Sequence, residues 1–134
     1  QADIAILCAA VADFTPCTTA DKKIKKQPGQ DGMVVELKTT TDIAATLGAS
    51  KQAHQRLDGF ALETHDEQAN ALRKLQSKNL DMIVLNSLQD QGAGFGVDTN
   101  KVTLLFADGT KKDLPLLLKQ EVADVIVESI LQLI

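Results

Sequence analysis

The sequence is poor in aromatic residues, with four Phe, no Trp and no Tyr. Proteins that bind single-stranded nucleic acid stack its bases on aromatic rings, so this scarcity argues against that function. A basic excess is also missing, since 14 Lys and Arg stand against 18 Asp and Glu and the formal net charge is −4. The chain therefore has no overall positive field for a nucleic-acid backbone or an anionic membrane.

Long apolar runs and a cysteine framework are absent as well. No segment approaches the roughly 20 apolar residues of a membrane span, and residues 1–8 lack the basic region of a signal peptide. Cys8 and Cys17 form no Cys-x-x-Cys motif, so neither a disulfide framework nor a zinc site is expected. Cys8 lies in an apolar run, which favours a buried structural thiol. These features predict a soluble, cytoplasmic protein with two free thiols.

The chain does contain enough apolar material for one domain, because 44% of its 134 residues are hydrophobic. Short apolar runs alternate with stretches of helical period, as in an α/β domain. Strands are predicted at Asp3–Ala9, Met33–Lys38, Leu57–Leu62, Leu80–Leu85, Lys101–Phe106 and Lys111–Leu114. Helices are predicted after Thr41-Asp42, after Asp66 and over Leu116–Ile134. This order predicts an open, mostly parallel sheet with helices on both faces, and Asp108-Gly109 predicts an antiparallel hairpin appendage.

A lysine-rich segment, Lys22-Lys23-Ile24-Lys25-Lys26, lies in the long loop after the first strand. One interpretation is a solvated surface loop. The other is a mobile clamp whose ammonium groups close over phosphates, since lysine is a flexible point charge. Ligands of open α/β sheets bind outside the carboxyl ends of the strands, and this position favours the clamp.

Other candidate ligand residues also lie near predicted strand or helix ends. Asp13 either begins a turn or holds a divalent cation beside a phosphate. Asn86 follows a buried strand and is a ligand candidate on position. Lys74 and Lys78 lie one turn apart on one helix face, where they are either solvated or contact a triphosphate. The loop Gly92–Gly96 does not fit the Gly-x-Gly-x-x-Gly fingerprint, which disfavours a dinucleotide-binding oxidoreductase.

Several strings occur together in order along almost the whole chain: Ala9–Phe14, Lys23–Lys26, Gly59–Thr64, Asn79–Asn86 and Gly94–Lys101. With these strings the chain resembles the phosphopantothenoylcysteine synthetase domain of bacterial coenzyme A biosynthesis. That domain is often fused to a flavin-dependent decarboxylase.

The resemblance implies a Rossmann-like, homodimeric ligase that joins 4′-phosphopantothenate to cysteine through an acyl-cytidylate, using CTP and Mg²⁺. It places the nucleotide contacts on Ala9, Asp13, Lys23, Asp42, Ile43, Phe60, Lys74 and Lys78. Lys23 is the expected catalytic residue, from a flap over the reacting centre. Asn86, Lys25 and Lys26 are the candidate substrate contacts, and Asp13 is the candidate metal ligand.

The chain departs from the family pattern at named positions. Thr40-Thr41-Asp42-Ile43 stands where the family has Asn-Pro-Asp-Ile, and Asp58 stands where an apolar strand residue is usual. The family's glycine-rich first segment, with its Arg and Asn, has no counterpart, so residues 1–134 are expected to be one partial domain lacking that segment. A choice between CTP and ATP stays open. The alternative function is a non-catalytic α/β module for dimerisation or nucleotide binding.

Overall fold

The computed structural model describes residues 2–87 and 96–134. Two compact units are present: unit 1 comprises Gln1–Cys8 and Ile43–Ile134, and unit 2 comprises Ala9–Asp42. In chain order the elements are β1 (Ile4–Leu7), β2 (Phe14–Pro16), β3 (Leu37–Thr39), α1 (Ile43–Ser50), β4 (Arg56–Glu63), α2 (Glu67–Ser77), β5 (Met82–Ser87), β6 (Thr99–Asn100), β7 (Val102–Phe106), β8 (Lys111–Asp113), β9 (Leu117–Leu118) and α3 (Lys119–Leu131).

The main sheet of unit 1 has the strand order β1-β4-β5-β7-β8. Strands β1, β4 and β5 run parallel, with Ile4 opposite Arg56 and Asp58 opposite Met82. Strand β7 is antiparallel to β5, and β8 is antiparallel to β7. The sequence prediction of an α/β fold with a parallel core and an antiparallel hairpin is confirmed.

Each face of the main sheet is covered by a helix. Successive strand residues point to opposite faces, so the strands contribute side chains to two separate cores. The core against α2 contains Leu57, Ala61, Ala71, Leu75, Leu80, Ile83, Leu85 and Leu105. The core against α3 contains Met82, Val84, Val102, Leu104, Leu114, Val122, Ile126 and Ile130. The continuous apolar run of β5 thus serves both cores, as expected for a strand buried on both faces.

The turn between β7 and β8 follows the predicted Asp-Gly signal. Gly109 has φ 88°, a left-handed conformation that glycine adopts without steric cost. The Oδ1 atom of Asp108 accepts a hydrogen bond from the Thr110 hydroxyl at 2.6 Å and another from its N–H at 2.8 Å. Both bonds hold the pKa of Asp108 below its usual value, and the bond from the Thr110 hydroxyl has the larger effect. The hairpin prediction is confirmed.

The last helix begins at Lys119, later than the predicted Leu116. Leu117 and Leu118 instead pair with Asn100 and Thr99 in a short antiparallel sheet. The Leu118 N–H donates to Oε2 of Glu121 at 2.8 Å, which satisfies a main-chain donor where the helix starts. In the described ranges no helix is long and apolar enough to cross a membrane.

Unit 2 contains its own two-stranded antiparallel sheet, in which Phe14 lies opposite Thr39 and Pro16 opposite Leu37. The predicted strand at Met33–Lys38 is wrong in its extent, because regular pairing begins only at Leu37. Val34 is 91% exposed, so this apolar residue is not packed into a core in the described part of the chain. The partner strand β2 was not predicted from the sequence.

The two cysteines are free, and both are exposed. The expectation of a buried Cys8 is therefore wrong. Strand β1 ends at Leu7, so Cys8 follows the strand rather than pointing into a core.

Asp58 is a buried acid within β4, with 0% of its surface exposed. Neither carboxylate oxygen has a hydrogen-bond partner in the described part of the chain. Burial raises the pKa of Asp58 to about 7, and the negative charge of Asp81 adds to this effect. The positive charges of Lys51 and Arg56, and the nearby main-chain N–H of Met82, oppose the shift without cancelling it.

Candidate functional site

The carboxyl ends of β4 and β5 lie side by side, with Leu62 opposite Asn86 and Glu63 opposite Ser87. The Asn100 amide donates to Oδ1 of Asn86 at 2.8 Å, which fixes the orientation of the Asn86 side chain. Because ligands of open α/β sheets bind outside the carboxyl ends of their strands, this edge is the candidate binding edge of unit 1. The sequence predicted Asn86 just after a buried strand, whereas it is the second-to-last residue of β5. Its role as a ligand residue stays a prediction.

Phe60 lies three residues before the end of β4 and is 37% exposed. Strand alternation puts it on the same face as Leu62, which is 44% exposed. Ile6 of β1 lies opposite Asp58 and is therefore on that face too, 40% exposed. The three side chains give this part of the sheet an apolar surface that the ring of a ligand can contact.

Lys74 of α2 reaches the carboxyl end of β4. Its Nζ atom lies 2.6 Å from Oε1 of Glu63, and the side chains are 42% and 12% exposed, respectively. The pair is a charge-assisted hydrogen bond between the helix and the last residue of the strand. The structure thus places the predicted Lys74 at the binding edge of unit 1.

Lys78 follows the last turn of α2, and its N–H donates to the carbonyl of Lys74 at 3.1 Å. The end of α1 approaches this turn closely, since a Cβ added to Gly48 would lie 1.9 Å from the Lys78 carbonyl oxygen. The Asn79 amide donates to the Gly48 carbonyl at 2.8 Å, from a left-handed backbone with φ 51°. A glycine within a helix usually weakens it, whereas Gly48 permits this close contact between α1 and the end of α2.

In unit 2, Thr40 holds the segment that carries Asp13. Its hydroxyl donates to the Ala12 carbonyl at 2.7 Å, and its N–H donates to the Asp13 carbonyl at 2.9 Å. Ala9 begins this segment, and its carbonyl accepts the Val11 N–H at 3.1 Å. Both Ala9 and Asp13 are exposed. The Thr40 side chain therefore helps to fix the backbone that carries Asp13.

The lysine-rich segment of unit 2 is exposed throughout. A cavity of about 400 Å³ lies beside it, lined by Ile24, Lys25, Lys26, Gln30, Asp31, Gly32 and Met33. The structure brings the two predicted substrate contacts, Lys25 and Lys26, to this cavity. Lys23 is not among its lining residues.

Asp42 and Ile43 stand at the start of α1. Asp42 is exposed and is the last residue of unit 2, and Ile43 is the first residue of the helix and is 47% exposed. Their predicted nucleotide contacts stay predictions.

Within the described ranges, no group of three or more His, Cys, Asp or Glu residues comes together. Mg²⁺ commonly binds through one or two carboxylates together with substrate phosphates. A single exposed carboxylate such as Asp13 fits an ion that arrives with a nucleotide.

The family model described as "DNA/pantothenate metabolism flavoprotein C-terminal domain" matches residues 1–134. The chain belongs to this family. Among solved structures, the C-terminal domain of the coenzyme A biosynthesis bifunctional protein CoaBC has a TM-score of 0.74 at 41% identity, covering 98% of this chain and 56% of that chain. The DNA/pantothenate metabolism flavoprotein from Streptococcus pneumoniae has a TM-score of 0.73 at 19% identity, covering 98% of this chain and 64% of that chain, and supports the fold alone.

Curated relatives of this chain carry different names. The coenzyme A biosynthesis bifunctional protein CoaBC of Bacillus subtilis (strain 168) is 52% identical over 96% of this chain and 31% of that protein. A cysteine/cysteine sulfinic acid decarboxylase from an unknown prokaryotic organism is 56% identical over 100% of this chain and 37% of that protein. The chain thus spans about a third of the length of these relatives.

Sequence reasoning missed Glu63, which binds Lys74, and Asn100, which donates to Asn86. It also missed Asn70 of α2, whose amide nitrogen lies 3.4 Å from Oε2 of Glu63. Each is a polar residue whose partner lies on another element, so no local pattern identifies it. The only signal was the position of Glu63 directly after the last apolar residue of β4. The predicted glycine loop at 92–96 falls mostly outside the described residues.

Proposed function

We propose that this flavoprotein C-terminal domain belongs to a CTP-dependent ligase that joins 4′-phosphopantothenate to L-cysteine in coenzyme A biosynthesis. In this reaction the substrate carboxylate attacks the α-phosphate of CTP and pyrophosphate leaves. The amine of cysteine then attacks the acyl-cytidylate and CMP leaves. The strongest support is the 52% identity to CoaBC of Bacillus subtilis over 96% of this chain.

The geometry of unit 1 supports a phosphate-binding role for α2. Lys74 and Lys78 are consecutive cations at the carboxyl end of the helix, and Lys74 reaches the carboxyl end of β4. In-line transfer at phosphorus depends mainly on positioning and on cations that stabilise the developing charge. We assign these lysines to the triphosphate, Phe60 to the nucleotide and Asn86 to the substrate.

In unit 2 we assign Lys23 to the acyl-transfer step, as the resemblance implies. Ala9, Asp13, Asp42 and the following Ile43 are assigned to the nucleotide. Asp13 would supply a carboxylate to a magnesium ion that accompanies CTP. Mg²⁺ would neutralise phosphate charge in the transition state. Lys25 and Lys26 are assigned to the substrate, because both line the cavity of unit 2.

The test uses the full-length protein that contains residues 1–134 and follows pyrophosphate release that depends on cysteine. Lys23→Ala is expected to lower the rate by about 10²-fold or more, the loss typical of a removed charge-stabilising donor. Lys22→Ala, its neighbour, is the matched control and is expected to retain the rate. An unchanged rate in Lys23→Ala overturns the assignment of Lys23, and a folded protein that releases no pyrophosphate from CTP overturns the ligase.

The same assay separates the ligase from a non-catalytic module. Nucleotide binding without pyrophosphate release, in the presence of both acceptor substrates, favours the module. We also propose that the protein acts as a homodimer in the cytoplasm, and sedimentation of the full-length protein tests the dimer.

A further inference from the structure

Glu63 is the last residue of β4 and is less exposed than the lysine that it binds. Its side chain is 12% exposed, against 42% for Lys74. Oε1 receives the Lys74 ammonium at 2.6 Å, and Oε2 lies 3.4 Å from the Asn70 amide nitrogen. Both oxygens of this carboxylate therefore face donors from α2.

Asn70 is itself held in place on either side. Its amide nitrogen donates to the His65 carbonyl at 2.9 Å, and its Oδ1 accepts from the Arg73 guanidinium at 2.9 Å. The contacts run from Arg73 through Asn70 to Glu63 and end at Lys74. Because this network fixes the Glu63 carboxylate, it also restricts the position of the Lys74 ammonium that binds to it.

We infer that Glu63 is a positioning residue that fixes the Lys74 ammonium at the carboxyl end of β4, ready for the triphosphate of a nucleotide. This inference rests on the proposed function. A free lysine side chain has many rotamers, and fixing it before binding removes part of the entropic cost that the ligand would otherwise bear. An ammonium has three donors, so Glu63 can hold one while the others remain for phosphate oxygens.

Positioning and simple charge make opposite predictions for Glu63→Gln. A carboxylate near a polyanion repels it, so removing the charge should tighten nucleotide binding if charge alone mattered. If Glu63 positions Lys74, removing the charge-assisted bond releases the ammonium and weakens binding. The sign of the change therefore decides between the two.

The experiment measures MgCTP binding by calorimetry in the full-length protein that contains residues 1–134. Lys74→Met is expected to weaken binding about tenfold or more, and Glu63→Gln by roughly three- to tenfold. In the double variant, Glu63→Gln is expected to add nothing to the loss from Lys74→Met, because it acts through that lysine. Asp113→Asn, which breaks the exposed Lys111–Asp113 pair of 3.0 Å, is the matched control and is expected to leave the affinity for MgCTP unchanged.

Equal or tighter binding by Glu63→Gln overturns the positioning role, and so does a loss that persists in the Lys74→Met background. If Glu63→Gln does not fold, as judged by circular dichroism, Asn70→Ala replaces it. That variant is expected to weaken binding about twofold, and unchanged affinity overturns the inference. A folded wild-type protein that binds no MgCTP overturns the proposed function and this inference together, whereas the other outcomes touch the inference alone.

Discussion

Asp58→Asn is expected to stabilise the protein, and more so as the pH rises. The pKa of Asp58 is about 7 in the folded state, against an ordinary value of 3.8. Between these values the unfolded chain has lost the proton while the folded chain retains it, so unfolding releases a proton. Stability therefore falls as the pH rises through this window and becomes constant above it.

The pKa of Asp58 is raised by roughly three units, and each unit corresponds to about 1.4 kcal/mol. Above pH 7, the buried carboxylate therefore lowers the free energy of unfolding of the wild type by about 4 kcal/mol. Asparagine has nearly the same shape but no charge to desolvate. The free energy of unfolding of Asp58→Asn should therefore exceed that of the wild type by an amount that grows by about 2 to 3 kcal/mol between pH 5 and pH 8.

Urea unfolding at several pH values measures this difference, followed by far-ultraviolet circular dichroism because the chain has no Trp. Asp113→Asn is the matched control, since it removes one carboxylate from the exposed strand β8. Hydrogen bonding by Thr103 and then Lys111 lowers the pKa of Asp113, so the pH dependence due to Asp113 lies in acid, below this window.

A stability difference that is the same at pH 5 and pH 8 would refute the reasoning. If Asp58→Asn does not fold, an NMR titration of the Asp58 carboxyl carbon in the wild type provides the same test. A midpoint near 4 would show that the buried carboxylate ionises at its ordinary pKa.

Two further substitutions test hydrogen bonds described above. Arg56 donates from Nε to the Leu133 carbonyl at 2.7 Å and from Nη1 to two more carbonyls at 3.0 Å. Arg56→Lys keeps the charge but loses this fork, and should lower the urea-derived free energy of unfolding by about 1 to 2 kcal/mol; an unchanged midpoint would contradict this. Thr40→Val removes the hydrogen bond from the hydroxyl to the Ala12 carbonyl. Hydrogen exchange of the main-chain amide at position 40 should become roughly two- to tenfold faster, because about 0.5 to 1.5 kcal/mol of local stability is lost. Thr39→Val is the matched control and should leave this exchange rate unchanged. Equal exchange rates of the amide at position 40 in the two variants would contradict a stabilising role for the bond to Ala12.

The sequence predicted the core of unit 1 because its signals are local. The apolar run of β5, the helical period of α2 and the Asp108-Gly109 turn each carry their own information. Boundaries were less accurate, since Leu117 and Leu118 suit either the end of a strand or the start of a helix. Their pairing with β6 decides between these, and that pairing is not visible in local sequence.

The candidate site was predicted only where one residue type at one position sufficed. Lys74 and Asn86 were named as ligand candidates from their positions near the ends of a helix and a strand, and the structure places them near the carboxyl ends of β4 and β5. Their roles as ligand residues stay predictions. Glu63 was missed because its role depends on its contact with Lys74, eleven residues later on another element. Pairing of β2 with β3 was missed for the same reason, since more than 20 residues separate their partners.

The close contact at Gly48 bears on how this protein can be redesigned. Replacing a helical glycine with alanine is a common route to higher stability, worth about 1 kcal/mol when nothing obstructs the new methyl group. Here that methyl would meet the Lys78 carbonyl at 1.9 Å, so α1 and the end of α2 would have to separate. A thermostabilisation library ranked by helix propensity would therefore select a change that displaces a lysine proposed to bind the nucleotide.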